Sequence, residues 1–102
     1  MGRYYTFTVE AFYSNFSRVG KVFLTDEEVE SLIQLLREEL EASIYTSDME
    51  KKLPDIYHRI DDAATPLMDE IMQSLTDQEY EEFRVWIPEE IIEMSGVDPD
   101  LL

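Results

Sequence analysis

Cysteine is absent from this chain, so disulfides, thiolate metal sites and cysteine nucleophiles are excluded, and its redox compartment leaves no trace. Basic residues are scarce. Eight Lys and Arg stand against 24 Asp and Glu, a formal net charge of −16. Phosphate contacts need clustered cations, so this balance argues against direct nucleic-acid binding and against an anionic membrane surface. No apolar run approaches the ~18 residues of a membrane-spanning helix. The first residues lack the continuous apolar core of a secretory signal. Met1-Gly2-Arg3-Tyr4-Tyr5-Thr6 fits the loose myristoylation pattern, which arises readily by chance, and a strand is expected to begin there. A soluble cytoplasmic protein is the expectation. Three scattered glycines are too few for a phosphate-cradling loop.

What is present is a sharp internal boundary. Residues 1–24 hold Arg3, Arg18 and Lys21 against Glu10, a balance of +2, so residues 25–102 carry −18. At the boundary, Leu24-Thr25-Asp26-Glu27-Glu28-Val29 carries a complete helix-start signature. Thr25 and Glu28 form a capping box, Leu24 and Val29 a hydrophobic staple, and the acids favour the positive end of the helix dipole.

Before that boundary, Tyr4 to Tyr13 alternates as a strand, with Tyr5, Phe7, Val9, Ala11 and Tyr13 on one face. Ser14 to Ser17 has turn composition, and Val19 to Leu24 completes a hairpin in which Gly20 suggests a bulge. The other face of the first strand holds Tyr4, Thr6, Thr8, Glu10 and Phe12. A face that is half aromatic is either covered by a late helix or used as an interface. Two strands alone are marginal in water, so the inner face needs a helical cover.

Beyond the boundary, a helix is expected from Asp26 to about Ser43, with Val29, Leu32, Ile33, Leu36 and Leu40 as its apolar stripe. Leu35 falls off that stripe and is expected at its margin or on a partner. Ser47-Asp48-Met49-Glu50 opens one short turn. Pro54 suits the first position of a long helix to Leu75, in which Pro66 is expected to produce a kink near Ala63, with a break and restart at Thr65 as the alternative. A further helix is expected over 77–86, burying Tyr80, Phe83 and Ile87, with Phe83 to Ile87 as an alternative third strand. Pro88 to about 95 gives a last short helix, capped by Gly96. The expected architecture is a single α+β domain, a two-stranded antiparallel hairpin packed against three or four helices.

The sequence offers little catalytic chemistry. His58 lies between Asp55 and Asp62 on one helix, which resembles half of a carboxylate-bridged metal site, but the chain has no second histidine. Adjacent acids such as Asp61-Asp62 or Glu81-Glu82 point ~100° apart on a helix, so sequence pairs are not spatial pairs. No serine lies in a nucleophile-elbow pattern. The chain is therefore expected to be no enzyme and to hold no cofactor or metal. Its expected role is a small acidic protein-binding module, inhibitor-like, immunity-like or nucleic-acid-mimicking, acting on a basic protein. Self-association through the hairpin, as a homodimer, is the alternative. The candidate interaction surface comprises the acids Glu30, Glu38, Glu41, Asp62, Asp69, Glu81 and Glu82, with Tyr4, Phe12 and Leu35 as outward apolar groups.

Repulsion among so many like charges opposes compaction. The melting temperature should therefore rise between low salt and ~0.15 M salt, where exposed charges are screened beyond about 8 Å. A flat or falling response in differential scanning fluorimetry contradicts this account of the charge.

Overall fold

The computed structural model describes residues 1–75 and 81–101. The chain is α+β. Strands β1 (Gly2–Ala11) and β2 (Ser17–Thr25) form the N-terminal hairpin, followed by helices α1 (Asp26–Glu39), α2 (Ser47–Lys52) and α3 (Pro54–Ser74). Strand β3 (Phe83–Val85), helix α4 (Glu89–Ser95) and a 3₁₀ turn (Pro99–Leu101) complete the order. The sheet is antiparallel in the order β2-β1-β3, so β1 is central.

The alternation in β1 decides which face the helices cover. Tyr5, Phe7, Val9 and Ala11 are buried, as are Val22 and Leu24 of β2 and Val85 of β3. Full removal of each Phe, Val or Leu side chain from water contributes roughly 1.5–3 kcal/mol. Against this face pack Val29, Leu32 and Leu36 of α1 and Ile56, Ile60, Ala64 and Ile71 of α3. The capping box at Thr25 is formed in both directions, which fixes where β2 becomes α1.

The hairpin turn sits earlier than its composition suggested. Asn15 adopts the left-handed region, and Ala11 N–H donates to Phe16 C=O at 2.9 Å, so pairing resumes at Ser17 and Tyr13 leaves the inner face for solvent. Gly20 marks no bulge, because the register runs unbroken through Phe7↔Gly20. Its role is space. A Cβ there would lie 2.8 Å from Phe7 Cζ and 2.7 Å from Leu67 Cδ1, so the missing side chain lets the Phe7 ring and α3 close over the strand.

Helix α1 ends at Glu39 rather than near Ser43. Leu40 takes left-handed angles as its cap and is exposed, so it leaves the apolar stripe. The chain turns there because Ala42 to Ile44 is claimed by the third strand and the segment after it. Ile87 N–H donates to Ala42 C=O, and Ile44 N–H to Val85 C=O. Ile44 is fully buried as a result. Helix α2 is capped by Thr46, whose Oγ1 accepts from Met49 N–H, rather than by Ser47. This register turns Met49 into the core.

Pro54 opens α3 as expected, and α3 runs continuously through Pro66. The helix expected over 77–86 does not extend through residues 83–85. There β1 offers a paired edge, and Val85 opposite Val9 is fully buried, so the period-2 pattern prevails over the helical one. Tyr80 and the helix start at 76–80 lie outside the described residues. Pro88 is the cap residue of α4 rather than its first position, and Gly96 closes α4 with left-handed angles as expected. Among the described residues, no helix is long and apolar enough to cross a membrane.

Gly20→Val should lower unfolding free energy by about 1–3 kcal/mol, the usual cost of overpacking. Val19→Thr, on the exposed face one residue away, serves as the control and should change little. Urea denaturation of both variants measures the difference, and equal midpoints would show that Phe7 and Leu67 have room to move.

Candidate interaction surface

Helices cover one face of the sheet and leave the other in water. Strict alternation places Tyr4, Thr6, Thr8 and Glu10 of β1 on this outer face, beside Phe23, Lys21, Val19 and Ser17 of β2. Tyr4 is 65% exposed and its ring meets Phe23 edge to face at 5.4 Å between centroids. At the other end Phe12, 45% exposed, stacks with Arg84, whose guanidinium also lies over the Trp86 ring. The outer face is aromatic and carries Lys21 and Arg84 against Glu10.

Several sequence-selected residues do not belong to a single surface. Leu35 is only 7% exposed and sits beside Lys52 and Leu53, because the chain after α1 folds back and covers a second side of that helix. It is core, not interface. Glu30 and Glu38 are exposed on α1, and Asp62 and Asp69 on α3. Glu38 lies 3.7 Å from Lys52 Nζ. Glu41 lines a shallow depression with Arg84 and Trp86. Glu81 and Glu82 approach β3, and the Glu81 carboxylate clamps the hairpin turn by accepting from Tyr13 N–H at 2.8 Å and Ser14 N–H at 3.0 Å. Desolvation raises the Glu81 pKa, but these hydrogen bonds outweigh it and hold the carboxyl below its usual range. Thus the structure unites Tyr4 and Phe12 on one face and divides the acids among α1, α3 and the approach to β3.

Sequence reasoning missed Arg84. Its neighbours Phe83 and Val85 spell alternation, but only pairing with β1 places it between two rings. The six ion pairs among the described residues engage Asp26, Glu28, Glu38, Glu39, Glu70 and Glu90. Their cations are the N-terminus, Arg3, Arg18, Lys52 and Arg59, while Arg37 donates to Ser95 C=O. His58 is exposed with its ring edge against Tyr57. No three His, Asp or Glu side chains among the described residues are arranged to hold a metal ion.

One of these pairs joins the helix start to α3. Arg59 Nη1 lies 2.6 Å from Glu28 Oε1 and also donates to Phe23 C=O, while Thr25 N–H donates to the same Glu28 oxygen. Partial burial raises the Glu28 pKa, and the hydrogen bonds from Arg59 and Thr25 overcome it, leaving a net depression. No protein-family model, curated protein or solved structure matches this chain.

A depressed folded-state pKa contributes stability that is present above the unfolded carboxylate value of ~4.3 and is lost as pH falls through the folded value. Glu28→Gln should therefore be less stable than the parent near neutral pH. The two should converge as pH drops below ~4. Urea midpoints across this range test it, and a gap that persists in acid would assign the effect to shape rather than charge.

Proposed function

We propose that this chain is a small non-enzymatic module that docks a basic protein, in the manner of an inhibitor, immunity-like or nucleic-acid-mimicking protein. One observation carries the reading. The few cations are largely consumed inside the molecule, by ion pairs, by Ser95 C=O or by aromatic rings, while the net charge stays at −16. Exposed carboxylates on α1 and α3 therefore project a negative field from the helical side. Such a field speeds encounter with a positive surface and disfavours acidic competitors.

A second reading has its own support. The exposed Tyr4–Phe23 pair and the Phe12–Arg84–Trp86 stack form an uncovered aromatic sheet face, as a self-associating domain would present. The two readings respond oppositely to salt, since repulsion between two −16 chains weakens as salt rises.

Affinity capture from the native host at low salt and at ~0.15 M or above separates them. Docking on a basic protein predicts captured partners of high pI that are released steeply by salt. Retention of neutral or acidic partners, insensitive to salt, overturns it. A dimer mass by light scattering that strengthens with salt supports the second reading.

A further inference from the structure

The edges of this sheet are not equivalent. β3 pairs with β1 only over Val9–Ala11. The chain then departs, since Trp86 N–H donates to Thr8 C=O but Ile87 N–H donates to Ala42 C=O. From Gly2 to Phe7 the β3 side of β1 has no strand neighbour among the described residues. Register fixes what this edge presents. Phe12 N–H donates to Glu82 C=O and Thr8 C=O accepts from Trp86, so even-numbered residues of β1 turn their main-chain groups to the β3 side. Gly2, Tyr4 and Thr6 continue that row onto the open edge, with no hydrogen-bond partner among the described residues. The opposite edge, on β2, is closed at one end. There Arg59 donates to Phe23 C=O and Thr25 N–H is held by Glu28.

Helix α4 runs alongside the open edge without filling it. Between them lies a groove of about 430 Å³, lined by Thr6 and Thr8 from β1, Trp86 and Ile87 from the chain after β3, and Ile92 from α4. Ala42 and three carboxylates, Glu10, Glu89 and Glu93, complete its lining; the carboxylates are exposed and none is in an ion pair among the described residues. An open strand edge beside a helix, with an apolar lining and acidic sides, fits one kind of occupant.

We infer that the open edge of β1 receives an extended, basic segment of a partner protein as a fourth strand. Main-chain hydrogen bonds to Gly2, Tyr4 and Thr6 hold the segment, and its alternate side chains divide between the groove and solvent. An apolar side chain meets Trp86 and Ile92, while Lys or Arg two residues along, on the same face of the segment, meets Glu10, Glu89 or Glu93. The free edge is about six residues long, or ~20 Å at strand spacing, which sets the length of the segment. Charge selects this occupant over a second copy, because a copy would bring its own acidic groove. The inference rests on the proposed docking of a basic protein and supplies its location.

Trp86 is the chain's single tryptophan and lines the groove, so its emission reports on this site. The full chain is titrated with a capped peptide of about six residues in which every second position is Val or Lys in turn and the others are Thr, followed by Trp86 fluorescence and amide NMR. The expected result is a shift in Trp86 emission, with the Gly2, Tyr4 and Thr6 amides moving and exchanging more slowly. N-methylation of alternate peptide amides should weaken binding by about tenfold or more, since it blocks strand pairing while keeping charge. The exposed-site substitutions Glu89→Gln and Glu93→Gln should each weaken it by up to about fivefold and leave the melting temperature near that of the parent. Equal binding of the N-methylated peptide overturns the inference. So does peptide binding that moves amides of α1 or α3 but not the β1 edge, although the wider reading of a basic partner then survives. Failure of both this peptide and polylysine to bind at low salt overturns the two together. Broadening of the β1 amides without peptide, with a dimer mass by sedimentation, makes a second copy the occupant and overturns the inference as well.

Discussion

The inner face of β1 is the constraint on which the remaining elements depend. Tyr5, Phe7, Val9 and Ala11 must leave water together, and each of β2, β3, α1 and α3 contributes to their cover. The closest fit is at Phe7, whose ring occupies the space that Gly20 leaves opposite it and meets Leu67 of α3. At Val9 the neighbour on the other side is Val85, equally buried, which draws β3 into the sheet. Interiors packed at crystal-like density leave little slack at such contacts. Covering one face of a three-stranded sheet leaves its second face and part of one edge in water. Both the aromatic outer surface and the open row at Gly2, Tyr4 and Thr6 follow from that asymmetry.

Part of the acidity has local structural uses. Asp26, Glu27 and Glu28 occupy the first turn of α1, and Glu89 and Glu90 the first turn of α4, where the helix dipole favours negative charge. Glu28 also anchors α3 through Arg59, Glu90 binds Arg3, and Glu81 holds the hairpin turn. These uses explain some carboxylates and leave the exposed ones on α1 and α3, such as Glu30, Asp62 and Asp69, without a role in holding the fold. Surface ion pairs contribute little each, so the acidic excess is better understood through its long-range field than through its contacts.

The fold was legible where a local signal had no competitor. Thr25 and Glu28 announced α1, Pro54 announced α3, and Gly96 announced the end of α4, because capping and proline chemistry act within one turn. Legibility failed where two local patterns coexist. Phe83 to Ile87 satisfies both a helical and an alternating period, and Leu35 lies outside a single stripe but inside a helix packed on two sides. The candidate surface was half legible. Tyr4 and Phe12 were correctly placed outward, whereas Arg84 and the groove beside α4 depend on elements far apart in the chain.

The sequence by itself determined the charge, the period of each strong element, the boundary at Thr25 and the outward aromatic face of the first strand. These follow from neighbours within a few residues, where sterics and main-chain hydrogen bonding leave few choices. Only the tertiary structure decided that β3 would join β1 for a short span and then turn away toward Ala42. That choice depends on which buried contacts beat others across more than seventy residues, Val85 against Val9 above all. The length of strand edge left open is set by the same competition.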